Sequence, residues 1–115
     1  MRALVVLALV FMLAACVTEP EASLDGRWQG EVSTAAYSFP VVLELADDGG
    51  VVSGRALVQV WGSTTESTVS GSFQIPTASL SLDGAVFWTF TLTMDGDELR
   101  GATDGGSQVE LRRLP

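Results

Sequence analysis

The sequence predicts an all-β fold, a small eight-stranded antiparallel up-and-down barrel, behind a cleaved signal peptide. Three observations predict it. From Leu24 onward apolar and polar residues alternate with period two, the repeat of a half-buried strand. Turn chemistry recurs at short intervals, as Asp47-Asp48-Gly49-Gly50, Pro76-Thr77, Asp83-Gly84, Asp95-Gly96-Asp97 and Asp104-Gly105-Gly106. No segment after Cys16 carries a helical apolar stripe of useful length.

The elements follow in order. A first strand over about 26–33 places Trp28 and Gly30 on one face. A second, about 37–46, aligns Phe39, Val41, Leu43 and Leu45, and a third, about 51–60, aligns Val52, Ala56, Val58 and Val60. The segment Trp61-Gly62-Ser63-Thr64-Thr65-Glu66 reads as the longest polar connection. A fourth strand, about 66–75, carries Val69, Phe73 and Ile75 inward, and a fifth runs over about 78–83. In the sixth, about 86–94, Trp88, Phe90, Leu92 and Met94 alternate with Thr89, Thr91 and Thr93. The last two span about 98–104 and 107–114, ending in Arg112-Arg113.

So regular an alternation implies one buried face throughout, and no helix is present to cover it. Closure into a barrel buries that face and removes the edge strands, while a two-sheet sandwich is the alternative. An internal echo, Val52-Ser53-Gly54, Val69-Ser70-Gly71 and Leu99-Arg100-Gly101, puts three glycines inward beside Gly30. Inward glycine serves either a sharp bend in a coiled strand or empty space for a ligand. Eight strands enclose a space that side chains fill or that holds one small ligand. Five inward aromatics (Trp28, Phe39, Phe73, Trp88, Phe90) favour filling, and the glycines with Ala56 favour a pocket.

Gly26-Arg27-Trp28 at the start of the first strand, with Arg112-Arg113 on the last, resembles the calycin superfamily of lipocalins, fatty-acid-binding proteins and avidins. In those barrels a Gly-x-Trp opens the first strand and a late cation packs across the indole. The resemblance implies that Gly26, Trp28 and either Arg112 or Arg113 form a structural signature, and it implies a small apolar ligand as one possible cargo. A guanidinium over an indole face contributes about 0.5–2 kcal/mol by itself. Two features depart from the pattern: the chain is shorter than lipocalins, and Thr103-Asp104 is followed by Gly105.

The amino terminus has a cationic start at Arg2, an apolar centre from Ala3 to Met12 and a small-residue cleavage site. The stretch is too short to span a bilayer, which takes roughly 20 apolar residues. Leu13-Ala14-Ala15-Cys16 resembles the lipobox of bacterial lipoproteins, with Leu13 where ordinary cleavage wants a small residue. This resemblance implies lipid on Cys16 and a contact with the membrane through that lipid. It divides the chain into signal peptide 1–15, lipidated tether 16–24 and barrel domain 25–115. The expected location is the cell envelope: the outer membrane of a two-membrane cell, since Val17 is not the Asp of inner-membrane retention, and otherwise the outer face of the cytoplasmic membrane. Cys16 is the only cysteine, so no internal disulfide forms.

Composition narrows the activities. Cleavage removes 15 of the 115 residues and leaves five arginines against 14 carboxylates, with no Lys or His. Such a surface repels phosphate backbones, so nucleic acid is not an expected partner. Missing Lys excludes Schiff-base chemistry, and missing His removes the commonest acid–base group and metal ligand. The carboxylate clusters Asp47-Asp48 and Asp95-Gly96-Asp97-Glu98 coincide with turns and do not match a calcium loop. No catalytic residue, cofactor or metal is expected; a carboxylate-dependent hydrolase using Asp95 or Asp97 stays as a remote alternative.

Trp61 and Tyr37 remain. Each is a candidate for contact with a ligand or partner at a barrel mouth, or an aromatic that covers the barrel end. The expectation is a non-catalytic envelope lipoprotein whose barrel serves macromolecular interaction or envelope structure, and the alternative is a carrier of a small apolar ligand.

Overall fold

The structure, a computed structural model, describes residues 23–115. The lipobox, Cys16 and the tether as far as residue 22 lie outside the described residues. Eight strands follow in order: β1 (Gly26–Ser33), β2 (Ser38–Asp48), β3 (Val51–Val60), β4 (Ser63–Gln74), β5 (Thr77–Gly84), β6 (Trp88–Asp95), β7 (Glu98–Thr103) and β8 (Gln108–Arg113). Each pairs antiparallel with the next, and β8 returns to β1 to close a barrel, not a sandwich. The described residues contain no helix. An eight-stranded antiparallel barrel is consistent with a calycin-like fold.

Turn chemistry sorts the two ends. At one end, the base, all three hairpins are two-residue turns: Gly49-Gly50 joins paired Asp48 and Val51, Ile75-Pro76 joins Gln74 and Thr77, and Gly96-Asp97 joins Asp95 and Glu98. Gly49 and Gly50 both have positive φ, 61° and 98°, as a primed hairpin turn requires. The opposite end, the mouth, holds the longer connections 34–37, 85–87 and 104–107. Its fourth connection is Trp61-Gly62, a two-residue turn between paired Val60 and Ser63. The expected long polar connection after Trp61 is therefore a correction. Ser63, Thr64 and Thr65 begin β4, because hydroxyl side chains fit the wet face of a strand as well as they fit a loop.

The inward positions converge on one core. Trp28, Leu43, Ala56, Val58, Leu80, Phe90, Leu92, Leu99 and Val109 are all 0% exposed. Zero exposure means that no void large enough for water reaches these side chains, so the interior is filled. Two assignments change. Ile75, expected inward, is exposed because Pro76 ends β4 at Gln74 and puts Ile75 in the turn. Leu24, assigned to the tether, is fully buried in the core, its N–H donating to Asp47 Oδ2 at 3.0 Å. The last apolar residue before β1 thus folds under the base instead of into solvent.

The inward glycines serve close approach. A Cβ on Gly30, Gly54, Gly71 or Gly101 would lie 1.8, 1.9, 2.0 or 1.9 Å from a carbonyl oxygen of the neighbouring strand. These are places where coiled strands cross nearly in contact. At these four positions the missing side chain leaves no free space.

Candidate functional site

The mouth assembles the two aromatic candidates. Tyr37 ends the 34–37 connection, which Thr34 ties into a compact turn. Thr34 Oγ1 accepts the N–H of Tyr37 at 2.9 Å and that of Ala36 at 3.3 Å, and the Thr34 N–H donates to the Tyr37 carbonyl at 2.7 Å. Trp61 comes from the β3–β4 turn. The rings meet edge to face, centroids 4.8 Å apart at 80°. Phe39 lies beneath, 6.2 Å from Trp61 and 6.1 Å from Trp88, and Trp88 stacks on Phe90 at 6.1 Å. A continuous aromatic column thus runs from the filled core to solvent.

Trp61 stands at the mouth largely in solvent. It is 72% exposed, and Phe39 and Trp88 below it are only partly buried and packed against the core. Its backbone φ is +53°, followed by Gly62 at +82°. The first position of such a turn normally takes Asn, Asp or Gly, since a side chain at left-handed φ costs roughly 1–2 kcal/mol. A bulky aromatic held there, in water, is strained without burying itself.

A third connection adds to the rim. Val86 packs against the core, while Ser67 Oγ accepts the Val86 N–H at 3.4 Å and donates to its carbonyl at 3.5 Å. This directs the next residue, Phe87, outward at 74% exposure. Neither the Thr34 turn nor Phe87 was anticipated. Thr34 had a readable signal, a hydroxyl four residues before the second strand, placed to accept backbone N–H groups two and three residues on, which is how side chains imitate a backbone turn. Phe87 had none.

The other expected residues lie elsewhere. Gly26, Trp28 and Arg113 meet at the base, where the Arg113 guanidinium sits 4.3 Å from the Trp28 ring centroid. Arg113 Nη1 and Nη2 donate to the carbonyls of Asp25 and Ser23 at 2.6 and 2.7 Å, and Trp28 Nε1 donates to that of Leu24 at 3.0 Å. Arg112 points outward and pairs with Glu98 at 3.1 Å. Asp95 and Asp97 are exposed at the β6–β7 tip, with Asp97 Oδ1 3.3 Å from Arg113 Nε. The base is a structural clasp, roughly 20 Å of tilted strand away from the mouth.

Most of the arginines lie toward the base. Glu44 bridges Arg27 and Arg55, and Glu98 bridges Arg100 and Arg112. The Arg55 hydrogen bond, chiefly, holds the Glu44 carboxyl below the usual carboxylate range, and the Arg112 hydrogen bond does the same for Glu98. Folding favours the ionised form of both, so their stabilisation is whole above the ordinary carboxylate range and is lost as pH falls through the lowered folded values. Urea unfolding at several pH values should therefore show Glu98→Gln less stable than wild type at neutral pH. The gap should close in acid, and high salt should shrink it, because both groups are wet. A gap that widened in acid would contradict the pairing.

No protein family, curated protein or solved structure matches the chain, so the mouth is read from its own residues.

Proposed function

We propose that this chain is a non-catalytic, lipid-anchored protein of the bacterial envelope whose barrel presents its aromatic mouth to another macromolecule. One observation carries the reading: Tyr37 and Trp61 are brought together, exposed and preorganised, on top of a core with no free space. Exposed, rigid Trp and Tyr are the residue types that dominate binding energy at interfaces, and preorganisation lowers the entropy lost on binding. A small apolar ligand inside the barrel would have to displace packed side chains. The lipobox supplies the anchor. Lipid on Cys16, with chain enough to reach Ser23 at the base, leaves the mouth facing away from the membrane.

Two experiments test this. The intact mass of the mature protein should begin at Cys16 with added lipid, and Cys16→Ser should leave unprocessed precursor; a mature terminus elsewhere refutes the anchor. A photoreactive residue at position 61 or 37 should crosslink in cells to an envelope macromolecule that the same residue at Ser81, on the outer wall, does not reach. Equal crosslinking from both places refutes the mouth as the contact face.

A stability measurement separates contact from covering. Trp61→Asn creates Asn-Gly, the preferred pair for this turn, and relieves roughly 1–2 kcal/mol of backbone strain. It also removes edge contacts with Tyr37 and Phe39 worth about 0.5–1.5 kcal/mol. The variant should unfold within about 1 kcal/mol of wild type while losing the crosslink partner. An aromatic that closed the barrel would instead cost about 3–5 kcal/mol when truncated.

A further inference from the structure

We infer that the partner offers the mouth a cationic segment of protein, an arginine or lysine flanked by aliphatic residues. This rests on the reading of the mouth as the contact face and adds the chemistry of what it binds. The argument is charge complementarity. Every arginine among the described residues is already paired with a carboxylate: Arg27 and Arg55 with Glu44, Arg100 and Arg112 with Glu98, and Arg113 with Asp97.

Those arginines are also misplaced for the mouth. Arg27, Arg112 and Arg113 lie at the base ends of β1 and β8, Arg100 is near the base end of β7, and Arg55 is midway along β3. The mouth ends of the strands carry Glu31, Asp83 and Asp104, which, like Asp25, Asp47, Asp48 and Asp95 at the base, have no arginine partner among the described residues. Only at the mouth do such carboxylates share an end with exposed aromatic rings. Glu31 is held upright by Ser38 Oγ at 2.8 Å, and Asp104 Oδ1 accepts the Thr89 N–H at 3.4 Å. The exposed rings of Trp61, Tyr37 and Phe87 thus share one barrel end with these carboxylates, Glu31 being hydrogen-bonded to the residue next to Tyr37.

A cation gains on such a surface twice, from the ring faces and from the surrounding negative field. The aliphatic flanks of the same segment have the exposed ring of Phe87 to cover. A second copy of this chain would bring two acidic mouths together, and an anionic lipid surface would be repelled in the same way. A neutral glycan could stack on Trp61 but would leave the carboxylates without a counter-charge.

The test uses the full-length protein in detergent micelles and a synthetic hexapeptide of alternating leucine and arginine. Trp emission reports binding, because Trp61 is the exposed indole while Trp28 is buried and Trp88 half-buried. The arginine peptide should change the emission saturably. Its affinity should fall about tenfold with Trp61→Asn or Tyr37→Ala, and severalfold between low and high salt. The same peptide with citrulline, which keeps the shape and removes the charge, should bind at least tenfold more weakly. Equal binding of the citrulline peptide overturns the proposal. Preferential, Trp61-dependent binding of a neutral chitin hexasaccharide overturns the cationic partner and leaves the mouth reading standing. Peptide binding that ignores both mouth substitutions overturns both. Two outcomes in the absence of peptide also refute it: dimers in sedimentation that Trp61→Asn dissolves, or a Trp61 already shielded from a soluble quencher by the micelle.

Discussion

Replacing Gly30 with Ala should cost more than about 3 kcal/mol and leave little folded protein. A Cβ there would stand 1.8 Å from the Glu110 carbonyl oxygen and 2.8 Å from Leu111 Cα, all of it backbone of β8. No side chain can swing aside, so β1 and β8 must part where Gly30 pairs with Leu111. Ordinary overpacking costs 1–3 kcal/mol, and this clash exceeds it because it lies on the closing seam. Against a typical domain stability of about 5–15 kcal/mol, the loss is a large share of the total. Urea unfolding followed by near-ultraviolet dichroism of the buried Trp28 measures it. Gly105→Ala is the control, with only Thr103 Oγ1 nearby at 3.8 Å and an expected change under about 0.5 kcal/mol. A Gly30→Ala protein as stable as that control would mean that the seam is not closed as described.

The second large effect belongs to Arg113. Arg113→Ala removes a cation from the Trp28 ring, about 0.5–2 kcal/mol, and two hydrogen bonds from a charged donor to the carbonyls of Ser23 and Asp25. Together about 2–4 kcal/mol should be lost, with a red shift in emission as Trp28 meets water. Arg113→Lys should recover less than half, since one ammonium cannot span the ring and both carbonyls. Arg112→Ala, which breaks only an exposed pair with Glu98, should cost less than about 1 kcal/mol. Equal losses at 112 and 113 would show that charge near the end of β8, and not the clasp, matters.

Much of this barrel was legible because one face must be dry. Trp88, Phe90, Leu92 and Met94 would not alternate with Thr89, Thr91 and Thr93 unless a strand faced a core, and a closed core needs no helix. The same alternation could have chosen Arg113 over Arg112: Val109 and Leu111 point inward, and Arg113 shares their parity. Strand ends were harder. Ser63-Thr64-Thr65 looks like a loop by composition, and a primed turn led by Trp is not a signal that sequence patterns recognise. The meeting of Tyr37 with Trp61 follows from register, not composition. Once β2 and β3 pair about Gly49-Gly50, with Val41 opposite Val58, the same count sets Trp61 across from Ser38 and beside Tyr37. Phe87 and the Ser67–Val86 bonds depend on how the 85–87 connection folds back, which no local pattern encodes. The emptiness or fullness of the interior was likewise a matter of packing.

The seam between β1 and β8 also sets the timetable on which the molecule can be made. A ribosome delivers the chain from its amino terminus, and every hairpin from β1–β2 to β7–β8 can form from neighbours as they appear. Only the last ladder joins residues some eighty positions apart, Trp28 with Arg113 and Val32 with Val109. Until β8 emerges, β1 carries a bare row of peptide groups along a curled, half-greasy sheet, which is the state most apt to pair with a stranger. Closure therefore waits for β8 and is slow in the manner of folds dominated by distant contacts. A newborn chain of this kind needs protection until its final strand arrives.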